Sequence, residues 1–231
     1  MSSIYDVMLQ LPIFQGLSKI QLDGIVEKIP FDFCQFAPGQ TILEMGDICD
    51  NVQFLLNGTV QQITSTYGGR IRILQNFEGP HTLPFYYLFG AETRSISQLV
   101  AIDQVGLMRV DKSSFLHMLQ QNNVMLVNVM NMLSTNAQKQ HVAMEFTAQT
   151  DPVLRLASWL LAYTDRKAID IRIQASEPAW QTLLRLDGGS FGRHVAMLEG
   201  RGCLELENGI LKLTDRYALR RFVVEKTTPN Q

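Results

Sequence analysis

At 231 residues, with 46% apolar and 18% charged side chains, the chain has the composition of a packed globular protein of one large domain or two small ones. No run of 18 apolar residues occurs, and the start MSSIYDVMLQLPIF lacks the basic end and apolar core of a signal peptide. A cytoplasmic protein without a membrane span is therefore expected. The net charge of −2 is uneven: residues 151–231 carry 12 Lys and Arg against 10 Asp and Glu, and residues 1–150 carry 8 against 12, so a polyanion would meet the C-terminal part.

In chain order, residues 3–11 and 18–29 read as short amphipathic helices broken by Pro12 and Gly16, with Ser18 as an N-cap. The period then changes. From Phe31 to Val110 the apolar residues alternate or cluster between turn signals, which predicts about eight short strands of an antiparallel sandwich or barrel. Gly39, Gly46, Gly58 and Gly69 stand where tight turns require positive φ. Cys34, Cys49 and Cys203 show no CxxC or His-paired spacing, which speaks against a disulfide framework, a zinc site or an iron–sulfur cluster. Buried free thiols, and no cofactor, are expected.

Asn123 to Phe146 contains no Gly or Pro, and Leu126, Met130, Leu133, Ala137, Gln140 and Met144 recur at spacings of four and three. This predicts a helix of roughly 35 Å with an apolar seam that something must cover. The periodicity alone allows either the core of a helical domain or a coiled coil with a second copy. Beyond it, Asp151 and Pro152 open a further helix, AIDIRI reads as a strand, and helices are expected from Ser176 with Pro178 and from Asp187. CLELENGILKLT reads as a hairpin turning at Asn208-Gly209, and Asp215 caps a last helix. Helix, turn, helix and hairpin is the order of a winged helix-turn-helix.

The run PGQTILEMGDICDNVQFLLNGTV resembles the start of the cyclic-nucleotide-binding β-roll, whose pattern is P-G-x-x-I, then G-D, then F-L-x-x-G-x-V. Pro38, Gly39, Ile42, Gly46, Asp47, Phe54, Leu55, Gly58 and Val60 fit it. With the long helix and the winged C-terminus, the whole chain resembles the Crp/Fnr family of bacterial transcription regulators. That resemblance implies an α+β chain in three parts. These are a cyclic-nucleotide-binding-like sensor of double-stranded β-helix (jelly-roll) type at 1–121, a dimerisation helix at 122–148 and a winged helix-turn-helix at 149–231. It implies a homodimer through the seam, double-stranded DNA and RNA polymerase as partners, and a small-molecule effector. The four His are unclustered in sequence, and no nucleophile–base pairing, phosphate-binding loop or metal constellation stands out, so no catalysis is expected.

In nucleotide-binding members of this family a short helix begins Gly-Glu, the Glu holding the ribose, and a later Arg with a Ser or Thr binds the cyclic phosphate. Arg94, Ser95 and Ser97 fit the phosphate half, with Gly90 closing the short helix, but Leu83 and Pro84 stand at the Gly and Glu. The acceptor carboxylate is lost, so an effector other than cyclic AMP is expected. The aromatic run Phe85, Tyr86, Tyr87 and Phe89 reads as packing over the roll or as an apolar pocket lining.

The family pattern for the reading helices is approximately L-A-x-x-L-G-x-S-R-x-T-x-x-R-x-L-x-x-L-x-x-x-G-x-I. Arg193, Val195, Leu198, Gly202 and Leu204 fit it, and Ser190 stands at its Thr. Arg185 replaces the turn glycine, Asp187 the Ser, and Gly188 and Gly189 two positions at which many members read bases. Glycine carries no side chain to read a base edge. Arg193 is thus the candidate for a guanine or phosphate, with Arg185, Ser190, His194 and Arg201 for the DNA backbone. The alternative is a dimeric ligand-binding or interaction protein on the same fold that has lost sequence-specific DNA binding.

Overall fold

Two serine-capped helices open the chain, α1 (Ile4–Met8) and α2 (Lys19–Val26), with a 3-10 turn at Pro12–Phe14 between them. Ser18 Oγ accepts from Gln21 N at 3.3 Å while Gln21 Oε1 accepts from Ser18 N at 2.9 Å, the reciprocal capping box. The computed structural model describes residues 3–186 and 191–227, the side chains of residues 142, 143 and 145–147 excepted.

Eight strands follow: β1 (Asp32–Phe36), β2 (Thr41–Leu43), β3 (Asn51–Asn57), β4 (Thr59–Thr66), β5 (Ile71–Glu78), β6 (His81–Thr82), β7 (Ser97–Ala101) and β8 (Val105–Asp111). One wall of the roll has the order β1-β8-β3-β6, and on the other β7 lies between β2 and β4. Register sorts the side chains by face. Val52 lies opposite Val110 and Phe54 opposite Met108, all buried against Phe14, Leu22, Phe115 and Met125. Leu55 and Leu107 face the other way, into the roll. The turn after β3 requires glycine: Gly58 has φ 83°, and a Cβ there would lie 2.4 Å from the Gln104 carbonyl oxygen.

Helices α3 (Lys112–Gln121) and α4 (Asn123–Thr147) continue the chain. Asp111 caps α3 through Ser113 N at 2.9 Å and Ser114 N at 3.0 Å. On α4, Met125 and Val129 are buried against the N-terminal helices, and Asn128 Nδ2 donates to the Ile13 and Gln15 carbonyls at 3.1 and 2.8 Å.

The C-terminal elements are α5 (Pro152–Tyr163), β9 (Asp170–Ala175), α6 (Glu177–Leu184), α7 (Phe191–Glu199), β10 (Leu204–Glu207), β11 (Ile210–Leu213) and α8 (Arg216–Thr227). Local chemistry sets their ends. Asp151 accepts from Val153 N at 2.8 Å and Asp215 from Tyr217 N at 2.8 Å, while Asn208 (φ 52°) and Gly209 (φ 78°) make the left-handed hairpin turn. Arg185 ends α6 at φ 54°, a conformation that costs a non-glycine residue about 1 kcal/mol. Arg155 lies buried among these elements, its guanidinium donating to the Leu184 and Gln149 carbonyls, and burial disfavours its charge.

By contacts the chain forms two compact units, residues 1–62 with 77–136 and residues 63–76 with 137–231. The β4–β5 tip therefore belongs to the C-terminal unit. There β5 pairs antiparallel with β9, from Ile71 opposite Ala175 to Asn76 opposite Asp170. Ile71 and Ile73 are fully buried in one core with Trp159, Ile173, Trp180 and Leu211. The strand order β10-β11-β9-β5 covers what would otherwise be an open edge of β9.

The thiol expectation is corrected in part: Cys203 is buried, but Cys34 and Cys49 are half-buried. Cys34 lies on β1, an edge strand with no buried residue, and Cys49 on the connection between β2 and β3.

Candidate functional site

The phosphate half of the expected pocket is held by internal hydrogen bonds. Ser95, buried, donates from Oγ to the Ser97 carbonyl at 2.7 Å and accepts from Ser97 N at 3.2 Å. Ser97 Oγ accepts from Gln62 Nε2 at 3.0 Å. Arg94 is exposed, bridged to Ile48, and its Nη1 donates to the Gly46 carbonyl at 2.8 Å. Leu83 is 1% exposed and hydrogen-bonded through its N–H to the Gln53 carbonyl, and Pro84 beside it is half-buried.

The short helix expected after Leu83 is not formed. Residues 83–92 make turns, with Leu88 N donating to Phe85 O at 3.0 Å and Gly90 at φ 102°. Pro84 supplies no N–H, and Phe85 and Leu88 are drawn into the core against Phe115. Phe85 thus packs, as does half-buried Phe89, while Tyr86 is 36% exposed.

No Asp or Glu occurs from Pro80 to Ala91, so no carboxylate stands where a ribose hydroxyl would need one. Cyclic AMP and cyclic GMP should accordingly bind only weakly, each lost charge-assisted hydrogen bond being worth roughly 1.5–3 kcal/mol. Calorimetry checks this: the expected titration is nearly featureless, whereas submicromolar binding abolished by Arg94→Ala would contradict it.

In the C-terminal unit, Phe191, Val195 and Leu198 bury one side of α7, with Phe191 stacked on Trp180 at 5.0 Å. Arg193 and Met197 are exposed on its other side and His194 is half-buried. Glu199 Oε1 accepts from Leu206 N at 2.8 Å, fixing the β10–β11 hairpin against α7. Arg201 is engaged elsewhere: its Nη1 lies 3.0 Å from Glu225 Oε2 and its guanidinium sits 5.0 Å over the Phe222 ring. Arg185 is exposed at the end of α6. Gly188, Gly189 and Ser190, with Asp187, lie outside the described residues.

The α4 seam residues are exposed in the single chain. Leu126, Met130, Leu133 and Met144 are 37%, 57%, 40% and 72% exposed, and Ala137 and Gln140 are exposed as well. The residues that α4 buries against its own unit, Met125 and Val129, stand on an adjacent stripe about 100° away.

Sequence reasoning did not single out Asn51, Gln53 and Arg109, which stand together on one face of β3 and β8. The available signal was a polar residue at the parity of Leu55 and Leu107, the roll-facing one.

Residues 33–122 match the family described as the cyclic nucleotide-binding domain. Potassium channel SKOR of Arabidopsis thaliana is 26% identical over 111 residues, which are 48% of this chain but only 13% of the channel. Among solved structures, the catabolite activator protein of Thermus thermophilus superposes with a TM-score of 0.53 at 16% identity, over 93% of this chain and 99% of that one. The sensor domain of the transcriptional regulator DNR from Pseudomonas aeruginosa does so with a TM-score of 0.50 at 20% identity, over 58% and 89%. These matches establish the fold: a cyclic-nucleotide-binding β-roll followed by helices and a small C-terminal α+β unit. The motif residues Pro38 to Val60 fall inside the matched span. Among the described residues no helix is long and apolar enough to cross a membrane.

Proposed function

We propose that this chain is a homodimeric, DNA-binding transcription regulator of Crp/Fnr type, acting in the cytoplasm without catalytic chemistry and controlled by a small molecule other than cyclic AMP. The observation that carries this reading is α7. It presents Arg193 to solvent near its N-terminal end, between α6 and the β10–β11 hairpin, the order in which a winged helix-turn-helix enters a major groove. Arg193 reads a guanine or a phosphate, the hairpin serves as the wing, and the exposed α4 seam is covered by a second copy. RNA polymerase is the partner such a dimer serves once bound.

Gel-shift titration across salt concentrations tests the reading. If the dimer makes about six phosphate contacts, affinity should fall roughly a thousandfold between about 50 and 200 mM salt. The sparse basic side chains on α7 support one other reading, a dimeric ligand-binding or interaction protein without specific DNA binding. Absence of salt-dependent DNA binding would select it.

A further inference from the structure

A groove of about 840 Å³ opens where β1 and β3 begin and β8 runs into α3, and Arg94, Ser95 and Ser97 are not among its lining residues. Register places Asp32, Asn51, Arg109 and Asp111 in its lining, with Gln53 beneath them in the same row. Arg109 on β8 lies opposite Asp32 on β1 and Gln53 on β3, and Asn51 lies opposite Asp111. Residues two apart on a strand share a face, so these polar side chains continue the row that holds Leu55 and Leu107 in the roll.

Three buried atoms of this row have no hydrogen-bond partner among the described residues: Arg109 Nε, Asn51 Oδ1 and Gln53 Oε1. Gln53 as a whole is only 9% exposed. Buried polar atoms are nearly always paired, and three unpaired ones on adjacent positions of two strands make a set of one donor and two acceptors. The neighbouring groups are fixed. Asp111 is spent on the start of α3, which holds its carboxyl well below the usual range. Asn51 Nδ2 donates to Asp50 Oδ1 at 2.6 Å, and the Arg109 guanidinium lies 5.3 Å over the Phe36 ring.

The groove thus offers a guanidinium N–H, with Lys112 nearby, and the Asn51 amide carbonyl, with the Asp32 and Asp50 carboxylates nearby. Phe31 and Leu116 supply an apolar wall. An anion alone would meet the carboxylates, and a cation alone would meet Arg109 and Lys112. A small zwitterion satisfies both sets.

We propose that this groove binds an α-amino acid with an apolar side chain. Its carboxylate accepts from Arg109 and its ammonium donates to the Asn51 carbonyl beside the Asp50 carboxylate, while its side chain lies along Phe31 and Leu116. The site stands within the N-terminal unit, so it holds whether or not the chain binds DNA.

Calorimetry on the full chain, with L-leucine, L-valine and L-phenylalanine as probes, tests it. At least one should bind, and the matching amine and carboxylic acid should each bind at least about tenfold more weakly. Arg109→Gln and Asn51→Leu should each weaken binding by at least about tenfold. If Arg109→Gln fails to fold by circular dichroism, Lys112→Gln and Asp50→Asn, both at exposed positions, should each weaken binding several-fold. The proposal is overturned if none of the three amino acids binds at millimolar concentration. Equal binding of the carboxylic acid, which would indicate a plain anion site, or binding indifferent to these variants overturns it too.

Discussion

Leu133→Asp should turn the protein into a monomer in solution. Leu133 is 40% exposed in the single chain and lies in line with Leu126, Met130 and Met144, while the stripe that α4 buries on its own unit is a different one. A two-fold seam would place the two new carboxylates close together in an apolar contact, where unpaired buried charge costs several kcal/mol, as much as many interfaces can supply. Asn131→Asp is the matched control. Asn131 is exposed and stands roughly 160° around the helix from Leu133, so the same charge there should leave association unchanged. Sedimentation velocity at micromolar concentration reads the outcome: a dimer for wild type and Asn131→Asp, a monomer for Leu133→Asp. A wild-type monomer would remove the dimer from the account.

Ile73→Asp should unfold the C-terminal unit. Ile73 lies opposite Ile173 across the β5–β9 pair, and both are fully buried beside Trp159 and Trp180. A carboxylate there has no partner, and the several kcal/mol it costs is a large share of the 5–15 kcal/mol, roughly, that holds a domain together. The readout is specific because the chain's 2 tryptophans, Trp159 and Trp180, both lie in this core. Their emission should shift to the red in Ile73→Asp and stay native in Arg72→Gln, since Arg72 is exposed on the same strand. Native emission and unchanged thermal stability in Ile73→Asp would contradict the strand pairing.

That pairing was not legible in the sequence, and the reason is physical. IRILQNFE alternates fully buried residues with exposed or half-buried ones and so announces a strand, but alternation says only that one face is covered, not which strand lies alongside. The features that were legible rest on chemistry within a few residues: the Ser18 capping box, the Asp151 and Asp215 caps, and the left-handed Asn208-Gly209 turn. The helix expected after Leu83 came from the family pattern rather than from these residues, and Pro84 with the core-directed Phe85 and Leu88 gives turns instead.

On α4 the seam at Leu126, Met130 and Leu133 was visible, but the stripe at Met125 and Val129 was hidden beside it. The two overlap in a helical projection, and only packing separates them. Arg155 was equally silent. An arginine in an amphipathic helix reads as a solvated charge until tertiary structure brings the carbonyls of Leu184 and Gln149 to it.

The role of Arg193 is tested most directly by selecting preferred DNA sites from a random library with wild type and with Arg193→Ala. Arg193 lies near the described start of α7 and is exposed, so a bidentate contact to guanine would discriminate by about 1–3 kcal/mol per half-site. The account predicts a short palindrome with half-sites about one helical turn apart, whose strongest base pair loses its preference in Arg193→Ala. No enriched sequence with the wild type, together with no salt-dependent DNA binding, would contradict it.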